Sequence, residues 1–184
     1  MNAKYPTIIE ELRTVMYSID DNAARNLAEL IDASPRIFLS GAGRSGLMIR
    51  AFAMRIMHAG KEVHVLGDVT TPSAHAGDLL IIASGSGETE SLVSHAKKAK
   101  KMGLKVATVT IFPEATIGTL SDIAVKINAP TPKSERESGL TSIQPMGSLF
   151  EQCMLLFLDE TVMELMEIQG KTSDQLFQNH ANLE

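Results

Sequence analysis

Only one cysteine, Cys153, occurs in the chain, so no disulfide can form within it, and a reducing, cytosolic address fits best. Its setting, "EQCMLLFL", marks it as a small buried apolar residue rather than a nucleophile. Long apolar runs are lacking as well. "CMLLFL" stops at Asp159 and Glu160, well short of a membrane span, so no membrane partner is expected. The opening "MNAKYPTIIEELRTV" carries acids and has no long apolar core, and it reads as neither a signal nor a transit peptide. Positive charge is in deficit: 17 Lys and Arg stand against 22 Asp and Glu, a net charge of −5. That balance argues against a nucleic-acid surface but leaves room for a phosphate ligand, which needs only local N–H groups and a cation or two. No His, Cys, Asp or Glu cluster has metal-ligand spacing, so no metal is expected. Internal repeats and low-complexity segments are missing too.

What is present is a regular alternation of strand and helix in 184 residues, enough for one domain. Residues 7–32 read as one helix, with Ile8, Leu12, Val15, Ile19, Leu27, Leu30 and Ile31 at helical spacing, ended by Ser34-Pro35. Short buried strands follow at 36–40, 62–66, 78–84, 105–111 and 123–127. Helices are expected at 45–59 and 88–102, and a long apolar one from 148 to about 169. The segment 128–145 is too polar and Pro-rich for an element, and the tail looks partly helical around "DQLFQNHA". Continuous apolar strands between helices imply a parallel five-stranded sheet covered on both faces, a three-layer αβα sandwich of flavodoxin-like α/β type. Ligands of such a sheet gather at the carboxyl ends of its strands.

Two strand-to-helix turns are candidates for such a site. After the first strand comes "SGAGRSG", in which Gly41, Gly43 and Gly46 spell the dinucleotide fingerprint G-x-G-x-x-G. After the third comes "SGSGET", residues 84–89. There Gly85 and Gly87 permit close backbone approach, while Ser84, Ser86 and Thr89 add hydroxyls at a helix start. With Ser45 on the same sheet edge, this chemistry suits a terminal phosphate monoester, many neutral donors around a dianion. A dinucleotide would need an acid about 20 residues past the first glycine loop. The nearest candidate, Asp68, comes later than that. Neither loop is followed by Gly-Lys-Ser/Thr, which excludes a Walker A site.

"GAGRSG" and "SGSGET" together resemble the sugar isomerase (SIS) domain, a family that binds phosphosugars. The similarity continues through "AFAMRIMHAG", "GDLLIIASGSGET", "IQPMGSLFEQ" and "HANLE", covering nearly the whole chain. The resemblance implies a cofactor-free isomerase, and the "QPMGSLFEQ" segment points to the activity that interconverts D-arabino-hex-3-ulose 6-phosphate and fructose 6-phosphate. By that resemblance Ser45, Ser84, Ser86 and Thr89, with the rest of the loop, Gly85, Gly87 and Glu88, hold the phosphate, and Glu151 is the base. The amino-terminal helix and the 129–143 segment carry no matching motif. Two alternatives stay open: a family isomerase of another phosphosugar, or a phosphosugar-sensing regulator. The residues before Arg36 leave no room for a basic DNA-reading domain.

Moving a carbonyl from C3 to C2 takes a proton from C2 and returns one to C3, through a 2,3-enediol. One carboxylate above the enediol plane can do both. Glu151 suits the role, yet Ser148-Leu149-Phe150-Glu151 also spells an S-x-x-E capping box, and spacing admits either. His58, thirteen residues after Ser45 on one helix, lies roughly 20 Å from that loop and could reach sugar only from a neighbouring subunit. It is read as a trans-acting residue or an interface histidine. His180 is a second, weaker candidate, and Gly43 and Arg44 are possible substrate contacts, the latter for the dianion or an enediolate. His64 and His95 read as structural or solvated. The helix bearing His58 is apolar on two faces, with Leu47, Ala51 and Met54 on one and Met48, Phe52 and Ile56 on the other. With ten methionines and the apolar last helix, this implies a homo-oligomer, a tetramer by the resemblance.

Overall fold

The computed structural model describes residues 3–131 and 139–183. Five strands, β1 (Arg36–Gly41), β2 (Glu62–Val65), β3 (Leu79–Ala83), β4 (Lys105–Thr110) and β5 (Ile123–Lys126), pair in parallel in the order β2-β1-β3-β4-β5. Every residue of β3 is buried, the mark of a strand covered on both faces. Side chains alternate between two cores. Leu39, Ile81 and Val109 face α2 (Ala23–Ala33), α3 (Gly43–His58) and α6 (Ser148–Gln169). Phe38, Leu80, Ile82 and Val106 face α4 (Glu90–Lys101) and the short α5 (Thr116–Leu120). Burying one such Leu, Ile or Phe completely contributes about 1.5–3 kcal/mol.

The topology places the site. From β1 the chain crosses through α3 outward to β2, and from β3 through α4 the other way to β4. Right-handed crossovers running in opposite directions leave on opposite faces, so a crevice opens at the carboxyl ends of β1 and β3. Both glycine loops sit there.

The expected fold class is what the structure has, with some differences in its elements. The single helix over 7–32 is two, α1 (Tyr5–Met16) and α2. At the break, Ser18 Oγ donates to Val15 O at 2.7 Å and the Asn22 N–H donates to Asp20 Oδ1 at 2.8 Å. These side chains take over backbone groups that a continuous helix would have paired. Helix α5 was absent from the sequence reading, being too short for a period to show. In α3 the helix begins at Gly43, two residues before Ser45. The tail forms α7 (Ser173–Phe177), opened by a Thr172–Gln175 capping box. Of the polar 128–145 segment, residues 132–138 lie outside the described ones. Cys153 is fully buried in α6 as expected, and burial pushes its thiol up to about 12. Among the described residues no helix is long and apolar enough to cross a membrane.

Candidate active site

The first glycine loop works mainly by packing. A Cβ on Gly46 would lie 2.7 Å from the Gly41 carbonyl oxygen, so the pair lets α3 start in contact with the end of β1. That closeness puts Arg44 and Ser45, in the first turn of α3, at the mouth of the crevice, where both line a cleft of about 370 Å³. The volume suits one monosaccharide phosphate, at the small end of ligand pockets. Gly43 is not part of the lining. Asp68 pairs with Arg50 at 2.9 Å, with both side chains about half exposed, and takes no part in the cleft.

The second loop supplies hydroxyls. Ser84 Oγ accepts the Gly87 N–H at 3.2 Å, and Ser86 Oγ accepts the Glu88 N–H at 3.3 Å. Each bond fixes the oxygen while leaving its own proton to donate. Thr89 holds the N-cap position of α4 but makes no capping bond with its side chain. Ser84, Gly85, Ser86 and Thr89 all line the cleft together with Ser45. Gly87 is needed for the turn itself: its φ is +66°, and a Cβ there would meet the Ala115 Cβ at 2.6 Å. Glu88 differs from the sequence expectation. Its Oε1 accepts the Thr116 N–H at 2.9 Å, which ties the loop to α5, and it is not among the cleft residues. A carboxylate beside a phosphate would also repel it, so Glu88 acts as a buttress.

Across the cleft stands Glu151, in the first turn of α6. Arg44 Nη1 donates to Glu151 Oε2 at 2.7 Å, with 15% of the Glu151 side chain and 45% of the Arg44 side chain exposed. The acid is thus largely sheltered, while the guanidinium remains open to an arriving anion. The capping box at Ser148 is not formed: Gly147 is the N-cap, no side chain caps it, and the Glu151 carboxylate reaches Arg44 instead. The reason lies one residue upstream, where Gly147 already takes the cap position and leaves Ser148 inside the helix.

The histidines lie elsewhere in this chain. His58 ends α3 and is buried, its ring stacked on His180 with centroids 5.3 Å apart. His180 stacks in turn on Phe177 at 5.6 Å. Burial first, then Arg55 and His180, lowers the His58 pKa below its ordinary value. These rings line a groove with Arg55, Met163 and Met166, remote from the cleft of the same chain. His95 is structural, its Nδ1 2.9 Å from Ser40 Oγ beneath the loops, and His64 packs at a tilt against Phe38, with ring centroids 5.3 Å apart.

Among the lining residues that the sequence does not single out are Thr131, Pro145, Met146 and Gly147. The last three lie inside the "QPMGSLFEQ" segment, so a signal existed for them, whereas Thr131 sits in the polar segment and had none. Among the described residues no group of His, Cys, Asp or Glu is arranged to hold a metal ion.

Comparison with known proteins identifies the family. The SIS domain model matches residues 29–156. A 3-hexulose-6-phosphate isomerase of Bacillus subtilis is 47% identical, covering 96% of this chain and 95% of its own. One from Methylomonas aminofaciens is 37% identical over the full length of both. A crystal structure of a Methanococcus jannaschii protein, inferred to be a 3-hexulose-6-phosphate isomerase, superposes with a TM-score of 0.83 at 30% identity, covering 98% of this chain and 99% of that one. The chain belongs to the SIS domain family, alongside relatives named as 3-hexulose-6-phosphate isomerases.

Proposed function

We infer that this chain is a phosphosugar isomerase interconverting D-arabino-hex-3-ulose 6-phosphate and fructose 6-phosphate, the reaction of the formaldehyde-fixing ribulose monophosphate route. One observation carries the reading: a sheltered carboxylate, Glu151, faces a ring of serine and threonine hydroxyls across a cleft sized for one sugar phosphate. Ser45, Ser84, Ser86 and Thr89 bind the phosphate at the starts of α3 and α4, where the helix dipoles favour a dianion. Glu151 removes the C2 proton and returns it at C3. Arg44, already within reach of the acid, stabilises the negative charge that grows on the enediolate oxygens. The chain works as a single SIS domain in the cytosol, assembled as a homotetramer in which His58 of a neighbouring copy reaches the sugar end. Its two-faced α3, with Leu47 and Met54 exposed, supports the assembly.

A panel of phosphosugars tests this, with products identified by NMR. Rapid conversion of the 3-ulose to fructose 6-phosphate is expected, unaffected by EDTA. Glu151→Gln should fold and bind fructose 6-phosphate while kcat falls about 10²–10⁴-fold, the span of lost general acid–base catalysis. Solvent deuterium incorporation at C3 of fructose 6-phosphate should cease with it. Turnover of the Gln variant within a few-fold of wild type would remove Glu151 from the chemistry.

A further inference from the structure

Glu11, on α1, collects hydrogen bonds from a segment more than a hundred residues away. Its carboxylate accepts from Ser142 Oγ at 2.7 Å, the Ile143 N–H at 2.8 Å and Gln144 Nε2 at 3.1 Å. Gln144 Oε1 in turn accepts from Gln152 Nε2 at 2.7 Å, and Gln152 is the neighbour of Glu151 on α6. Immediately after this anchor come Pro145, Met146 and Gly147, which form an arch over the cleft and lead into α6. Met146 adopts a φ of +58°, a conformation non-glycine residues avoid unless their surroundings impose it. On one side the arch is held by the Ser148 N–H, which donates to Pro145 O at 3.2 Å; on the other it is held by Glu11. Although burial raises the Glu11 pKa, its bonds from Ile143, Ser142 and Gln144 outweigh that and hold it below the ordinary carboxylate value. The acceptor is therefore charged across the neutral range.

We propose that Glu11 is a positioning residue of the isomerase: through Ser142, Ile143 and Gln144 it fixes the Pro145–Gly147 arch, and with it the mount of Glu151 over the sugar. The inference rests on the reading of Glu151 as the base. Glu11 itself does not line the cleft. Its loss leaves the Ile143 N–H in an exposed stretch where water can replace the carboxylate, so the fold keeps its stability while the arch loosens. A base displaced by about an ångström loses much of its rate, on the order of a hundredfold at worst.

Kinetics of the full-length Glu11→Ala, Glu11→Gln and Glu10→Ala proteins test this, together with the fructose 6-phosphate Kd by calorimetry, thermal melting, and amide exchange at Ile143. In Glu11→Ala, kcat should fall at least about tenfold with Kd within about threefold, Tm near wild type and faster exchange at Ile143. Glu11→Gln keeps an acceptor oxygen and should recover part of the rate. Glu10→Ala, which loses only the exposed Arg13 pair, should match wild type. A Glu11→Ala enzyme with wild-type kcat, or one whose loss merely tracks its unfolded fraction, overturns the proposal. Wild-type protein without turnover, or an active Glu151→Gln, overturns the reading of the site instead; an active Glu11→Ala beside an inactive Glu151→Gln overturns only the positioning role.

Discussion

Thr89 takes the N-cap place of α4 and leaves its hydroxyl out of the cap, and Ser86 keeps a proton while accepting the Glu88 N–H. Both side chains therefore have a donor for the phosphate that the fold does not consume. Ser86→Ala and Thr89→Val should each weaken fructose 6-phosphate binding by about 1–3 kcal/mol, the cost of losing a bond to a charged acceptor. Calorimetry reads this directly, and melting temperatures should hardly change, since Thr89 makes no capping bond and the exposed Glu88 N–H can turn to water when Ser86 Oγ is lost. These residues were legible in the sequence because a strand end, two glycines and three hydroxyls fall within six positions. Glu88 was grouped with them for the same reason. It stands in the hydroxyl-rich run, and only the fold shows its carboxylate turned to the Thr116 N–H. Glu11 and Thr131 left no local signal, because their role depends on segments that meet only after folding.

At the scale of elements, the contact between β1 and α3 decides where Ser45 and Arg44 stand. Gly46 permits it, for the added methyl of Gly46→Ala would lie 2.7 Å from the Gly41 carbonyl oxygen and 3.1 Å from its carbon, both rigid backbone atoms. Helix α3 would have to move away from the strand, an overpacking cost of about 1–3 kcal/mol. For a chain of this length each kcal/mol lowers Tm by about 2–4 °C. A combined measurement should show lower Tm and, if Ser45 binds the phosphate as proposed, a raised KM, because its hydroxyl moves with the helix. An unchanged KM would mean that the loop tolerates the shift. The strands and the long helices were readable from apolar runs and helical periods, and α6 was placed at its observed ends. The α1–α2 break was not, because Ile19 keeps the period across it while Ser18 and Asp20 capture the backbone groups locally. Nor was the missing cap at Ser148, since the spacing S-x-x-E says nothing of which residue takes the N-cap.

Across the whole molecule, two sets of side chains bear on behaviour, sheltered histidines that titrate and exposed apolar groups. Burial, with Arg55 and His180, lowers the His58 pKa, and burial with Lys98 lowers that of His95. Both rings bind protons less readily folded than unfolded, so their contribution is complete above the unfolded value of about 6.5 and is lost as pH falls below it. Stability should drop between pH 7 and 5, and His95→Asn should flatten that slope in melting curves. The apolar side chains argue for assembly. Leu47, Met54 and Met57 on α3 and Leu156 and Met163 on α6 are all more than a third exposed, and α3 and α6 pack against each other. A homo-oligomer built on this face would bring His58 of one copy toward the cleft of another, which its own chain cannot do from the far end of α3. Subunit mixing separates that arrangement from a structural histidine. His58→Ala and Glu151→Gln proteins should each be inactive. Dissociated, mixed one to one and reassembled, they should recover about a quarter of wild-type activity, the share of interfaces that pair an intact Glu151 with an intact His58 in a closed symmetric assembly. If both residues act within one chain, no mixture regains activity. If His58→Ala is active by itself, the ring serves the interface alone and the sugar end is completed by residues of the cleft.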